Sequence, residues 1–149
     1  MKAIPYVSYN GNCEKAIRFY HAVLGGQLDI LRFKDLPSEE GIPISEQWKE
    51  KILHSSLTFE EDNCLFFSDT WEESPVELGT NFHIHLQVSS AEEVYRIVKK
   101  LSDGGQVTMP ADKTFWNSVY GSLIDKFGIF WGIEFELKPD DDIPFSEKD

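Results

Sequence analysis

The sequence predicts an α+β protein made of two tandem βαβββ modules. An internal repeat relates the two halves, each copy holds an amphipathic helix that stops at a Gly-Gly pair, and strand-like runs flank both helices. Residues 12–27 match residues 90–106: Glu14 pairs with Glu92 and Arg18 with Arg96 at an offset of 78, and Gly25-Gly26-Gln27 pairs with Gly104-Gly105-Gln106 at 79. A duplication of this kind means one supersecondary unit used twice.

The elements follow in order. The first strand carries Pro5, Val7 and Tyr9 on one side. Cys13, Ala16, Ile17, Tyr20 and Leu24 then recur with helical spacing, and Gly25-Gly26 supplies a left-handed turn that ends the helix. Strand-like runs follow at 27–34, 54–59 and 64–69, the last two joined by the turn signal Glu60-Glu61-Asp62-Asn63.

The second module opens on the strict alternation of residues 81–88, with Ile84, Leu86 and Val88 on the face expected to meet the helix and His83, His85 and Gln87 on the other. Ala91, Val94, Val98 and Leu101 form its helical stripe, and Ser90 with Glu93 has capping-box spacing. Strands are expected at 106–109, 119–124 and 129–136, with a turn at Asp125-Lys126-Phe127-Gly128. Residues 35–51, with an amphipathic piece around Trp48, read as a flap over the first module. Residues 72–80 read as a linker and 138–149 as a solvated acidic tail. The expected organisation is one domain over 1–149, with modules at 1–71 and 81–137.

Composition narrows the function. Lys plus Arg number 14 against 26 Asp plus Glu, a net charge of −12 that argues against nucleic acid as a partner. Aromatic residues make up 13% of the chain, more than disordered sequences carry. The two cysteines, Cys13 and Cys64, lie far apart with no clustered Cys or His, which excludes a zinc ribbon or thiol redox motif and leaves reduced core thiols. The amino terminus lacks the apolar run of a secretory signal, and no stretch is long and apolar enough to span a membrane. A cytoplasmic protein is expected. Gly25-Gly26 and Gly104-Gly105 follow helices, whereas phosphate-binding glycine loops precede them.

Further motifs lie along this frame: Asn10-Gly11-Asn12-Cys13-Glu14-Lys15-Ala16 leading into Phe19-Tyr20, His54 followed by Phe66-Phe67-Ser68-Asp69, then Phe115-Trp116, then Tyr120 to Trp131. This ordered set, covering most of residues 4–135, resembles the vicinal oxygen chelate (glyoxalase/bleomycin-resistance) superfamily, and within it the PhnB-like branch. The resemblance implies a curled, incompletely closed eight-stranded mixed barrel with helices outside, an internal pocket and a homodimer. It also implies a divalent metal held by the first and last strands of each module. Members of the branch often carry the label of a ubiquinone-pathway methyltransferase, but nothing here resembles a nucleotide-binding βαβ unit.

Carried over one by one, the four metal-ligand positions fall on Pro5, Phe66, His83 and Gly132, of which His83 alone has a donor. A catalytic metal needs about three protein ligands, so no metal and no other cofactor is expected. The alternative is a rearranged divalent-metal site at His83, His85 and Glu134, giving a glyoxalase- or dioxygenase-type enzyme. Metal-free acid–base chemistry would fall to His83 and Asp69, although an Asp at a strand end is more often a cap. His54 is read as hydrogen-bonded at a sheet end and His21 as solvated.

The aromatics Tyr9, Phe66, Phe115, Trp116, Tyr120 and Phe130 exceed what a core needs and suit a flat or apolar ligand. The expected pocket comprises Val7, Tyr9, Phe66, Ser68, His83, His85, Gln87, Trp116 and Phe130, and its expected partner is a small organic ligand. The leading expectation is a binding protein that sequesters such a ligand.

Overall fold

A computed structural model describes residues 1–37, 41 and 43–141. The chain divides into two compact units, Met1–Glu77 and Leu78–Asp149, with the boundary inside the expected linker. The first contains β1 (Tyr6–Tyr9), α1 (Cys13–Leu24), β2 (Gln27–Arg32), β3 (Ile52–Thr58) and β4 (Cys64–Asp69). The second contains β5 (Ile84–Gln87), α2 (Ala91–Leu101), β6 (Gln106–Lys113), β7 (Ser118–Ile124) and β8 (Phe130–Glu136). Strand order is β1-β4-β3-β2 in one sheet and β5-β8-β7-β6 in the other. In each, the first and last strands pair in parallel and the remaining pairs are antiparallel. The two-module α+β architecture is therefore present, as a four-stranded mixed sheet in each unit.

Each helix buries most of its predicted stripe, but Leu24 and Ala91 are only half-buried while Val23 and Ile97 are buried. Cys13, Ala16, Ile17, Tyr20 and Val23 are buried on α1, and Val94, Ile97, Val98 and Leu101 on α2. The helices begin differently. Ser90 Oγ accepts from the Glu93 N–H (3.2 Å), while Glu93 reaches back to Ser89, accepting from its N–H and hydroxyl. Asn12 gives α1 no side-chain cap. That role falls to Asp69 at the end of β4, whose Oδ1 accepts from the Gly11 and Cys13 N–H groups at 2.8 and 3.0 Å. Glu14, in the first turn of α1, is held down to about 2 by its hydrogen bonds from Arg32 of β2 and then Arg18, which ties helix to sheet. Burial, with the nearby Asp69 charge, pushes the Cys13 thiol far above its ordinary range. Cys64 is half-buried, and neither cysteine is in a disulfide.

The Gly-Gly pairs have a packing reason as well as a conformational one. A Cβ at Gly26 would lie 2.6 Å from the Thr58 carbonyl oxygen, and one at Gly105 would lie 2.2 Å from that of Ile124. Both obstacles are backbone, which cannot rotate aside. Gly105→Ala is therefore expected to cost about 3 kcal/mol, read as a lower urea midpoint. Gly25→Ala, with left-handed φ but nothing within 4 Å, should cost about 1 kcal/mol. Equal losses at the two positions would refute the packing argument.

Differences from the expected elements are local. β2 ends at Arg32 in a short 3-10 turn over Phe33–Asp35, and β6 runs on to Lys113. The flap is pinned to the first unit by Trp48 Nε1 donating to the Thr70 carbonyl (2.9 Å) and Lys51 Nζ donating to that of Gly11 (2.7 Å). Residues 38–40 and 42 of that flap, and residues 142–149 of the expected tail, lie outside the described residues.

Candidate functional site

In each unit one face of the sheet meets the helix, and the opposite face gathers the side chains with chemistry. In the second unit Ile84, Trp131 and Ile133 are buried, which turns His85, Gln87, Phe130, Gly132 and Glu134 the other way. Cross-strand pairing adds Ser118, Tyr120 and Ser122 of β7 to that face. On it a chain of rings runs across four segments. His83, just before β5, lies 4.9 Å from Phe130 and 6.3 Å from His85. His85 stacks on Tyr120 at 6.1 Å and 16°, and Tyr120 meets Trp116 at 6.0 Å.

Glu134 anchors this wall. Its Oε1 accepts from Trp116 Nε1 (2.9 Å) and the Ser118 hydroxyl (2.7 Å), and its Oε2 bonds His85 Nε2 (3.0 Å). Burial works to raise this carboxyl, but the bonds from Trp116 and Ser118, together with the charge and hydrogen bond of His85, hold it below the ordinary carboxylate range. Glu134 is thus a fixed anion. Gln87 donates to Glu136 at the edge of the same face. Of the Phe115-Trp116 pair, Phe115 is 93% exposed and Trp116 47%.

The corresponding face of the first unit carries a smaller cluster. Tyr6 Oη lies 3.0 Å from His54 Nδ1, and Phe66 packs edge-on to both rings at 5.9 and 4.8 Å. Ser68 shares this face by alternation with Phe66. His54 is hydrogen-bonded, as expected.

Val7 and Tyr9 are not on it. Tyr9 is buried with its hydroxyl 2.9 Å from that of Tyr20 on α1, and Val7 shares its side of β1. This corrects their placement in the pocket. The helical offset of 78 aligns Tyr6 with Ile84, yet Ile84 faces its helix while Tyr6 faces away. The two strand-to-helix connections are equally long, but the first passes through Gly11 at φ +97° and the second has no positive φ. The repeat therefore holds for the helices and reverses the side-chain parity of the first strands.

Asp69 is also corrected as a base. It is 4% exposed on the helix side, and besides its two bonds at α1 its Oδ2 accepts from the Ile52 N–H (2.9 Å). Three backbone donors occupy it, so it holds the fold. His83, the other candidate, makes no hydrogen bond among the described residues and stays exposed beside Phe130. Tyr6 and Ser118 escaped sequence reasoning. Ser118 carries no motif, and Tyr6 becomes readable only once the parity of β1 is known.

Neither metal set fits. Pro5, Phe66 and Gly132 offer no side-chain donor. The rearranged set is not gathered around one point: the His83 and His85 rings lie 6.3 Å apart, and Glu134 bonds His85 through Nε2. Among the described residues no group of three or more His, Cys, Asp or Glu is placed to hold an ion. Among the described residues no helix is long and apolar enough to cross a membrane.

Comparison with known proteins agrees with this architecture. The protein PA1353 of Pseudomonas aeruginosa is 35% identical, superposes with a TM-score of 0.80, and covers 93% of this chain and 99% of its own. The Bacillus cereus PhnB protein shares the fold at 20% identity and a TM-score of 0.69, over 91% of this chain and 99% of its own. Protein YjdN of Escherichia coli K12 is 29% identical over 140 residues, 89% of this chain and 94% of YjdN. The model of the Glyoxalase/Bleomycin resistance protein/Dioxygenase superfamily matches residues 4–133, spanning both βαβββ units, and the chain belongs to that superfamily.

Proposed function

We propose that this protein is a PhnB-like member of its superfamily that binds a small, planar, mostly apolar organic molecule on the ring wall of its second unit, without a divalent metal. The observation that carries this reading is the continuous set of ring contacts from Phe130 through His83, His85 and Tyr120 to Trp116, on the sheet face turned from the helix. Rings supply binding through apolar burial, at roughly 25 cal/mol per Å², and the imidazoles with Gln87 and Tyr120 orient polar substituents. Phe66 and Ser68 add a second, smaller surface on the first unit. A protein of this kind sequesters its ligand.

Titration with 2-naphthol should shift the Trp116 indole N–H signal while leaving that of buried Trp131 in place, and saturating EDTA should not change the affinity. Shifts confined to α1 and α2, or binding abolished by EDTA, would overturn the reading.

We also propose a cytoplasmic homodimer. β1, β2, β5 and β6 are the outer strands of their sheets, the positions from which strands pair across a two-fold axis. Sedimentation at micromolar concentration should give about 34 kDa, twice the 17.1 kDa chain mass. A 17.1 kDa species there refutes it.

A further inference from the structure

The geometry points to His85 as a general base, oriented by Glu134, that removes a proton from an acidic C–H of a planar aromatic molecule held on the ring wall. This rests on the binding reading above and adds a reaction to it. Glu134 is held as a carboxylate, which can only accept, so the Nε2 atom of His85 at 3.0 Å carries the hydrogen. In the neutral imidazole, the form that acts as a base, the lone pair then sits on Nδ1. That atom has no protein partner among the described residues. The carboxylate cannot swing away, because Trp116 and Ser118 hold its other oxygen.

Gly132 keeps the base uncovered. A Cβ at this position would lie 3.1 Å from His85 Nδ1 and 3.0 Å from the Tyr120 hydroxyl, so the glycine leaves both atoms free on one patch of sheet. In the proposed step the substrate C–H bond breaks and an N–H bond forms at Nδ1. The electron pair moves to an electronegative atom of the substrate, where the Tyr120 hydroxyl donates a hydrogen bond to the developing charge. The substrate class is an aromatic compound whose C–H is acidified by an adjacent carbonyl or ring heteroatom. No oxidant, reductant or second substrate is needed. The ionisable groups facing His85 are Glu134 from β8, Tyr120 from β7 and His83 before β5.

The probe is 5-nitrobenzisoxazole, a flat neutral molecule with one acidic C–H. Loss of that proton breaks its N–O bond and releases a coloured 2-cyano-4-nitrophenolate, with the proton left on Nδ1. The wild-type protein should release the phenolate about 100-fold faster than His85→Ala. His21→Ala, on the solvent side of α1, should match the wild type.

Glu134→Gln tests the positioning role. Trp116 can only donate, so the amide oxygen of the new side chain must face it and the NH2 must face His85 Nε2, which forces the hydrogen onto Nδ1. Imidazole nitrogen NMR should therefore show His85 protonated at Nε2 in the wild type and at Nδ1 in the variant, whose rate should fall as far as that of His85→Ala. An Nδ1–H tautomer in the wild type, or equal rates with and without His85, overturns the base. If the probe still shifts the Trp116 indole signal in that case, the base falls and the binding reading stands. If it produces neither shift nor turnover, both fall.

Discussion

Asp69→Ala will destabilise the first unit by about 4 kcal/mol, because it strips the acceptor from three backbone N–H groups at once. Gly11 and Cys13 lose their bonds at the start of α1, and Ile52 loses its bond at the start of β3. A buried donor left without a partner costs about 1–3 kcal/mol, and water can reach half-buried Gly11 more readily than the other two. Asp69→Asn keeps one acceptor oxygen and should lose roughly half as much. Urea unfolding measures both. The same pair of variants separates the fold from the chemistry: a catalytic Asp69 would lose activity in Asp69→Asn at unchanged stability. A loss below about 1 kcal/mol in Asp69→Ala would show that the three bonds do not hold the strand to the helix.

What could be read from the sequence divides along physical lines. Periodicity reports burial, so the two stripes, read as Cys13 to Leu24 and Ala91 to Leu101, were visible to within one position at one end because each helix has one wet and one dry face. The alternation His83-Ile84-His85-Leu86-Gln87 placed the polar wall of the second unit correctly for the same reason. The first strand gave no such contrast. Tyr6, Val7, Ser8 and Tyr9 are amphipathic on both sides, so its orientation rested on the resemblance, which put Pro5 at the inward position, and the strand runs with the opposite parity into the left-handed Gly11. Glu134 was legible as an inward carboxylate but not as an occupied one. Its partners Trp116 and Ser118 lie 18 and 16 residues earlier and meet it only through the antiparallel pairing of β7 with β8. Asp69 failed as a base for the mirror reason: its donors are backbone groups, which a sequence does not mark.

Trp116→Ala should weaken 2-naphthol binding about 30-fold, equivalent to about 2 kcal/mol, with little change in unfolding midpoint. Its ring is 47% exposed, so removing it costs the fold little packing, whereas the ligand loses the outer end of the ring wall. The substitution also frees one bond on Glu134, which keeps Ser118 and His85 as partners. Trp116→Phe separates the two contributions, since it restores an aromatic surface without the N–H. If burial of the rings dominates, Phe should recover most of the affinity. If the indole bond to Glu134 matters more, Phe should bind as weakly as Ala. Trp131→Ala is the contrasting case. That side chain is 0% exposed on the helix side and donates to Asp125 at 2.8 Å, so its loss should lower stability by about 4 kcal/mol. Any effect of that variant on 2-naphthol should follow unfolding alone. Unchanged affinity in both Trp116→Ala and Trp116→Phe would place the ligand elsewhere and remove the basis for the wall as a binding surface.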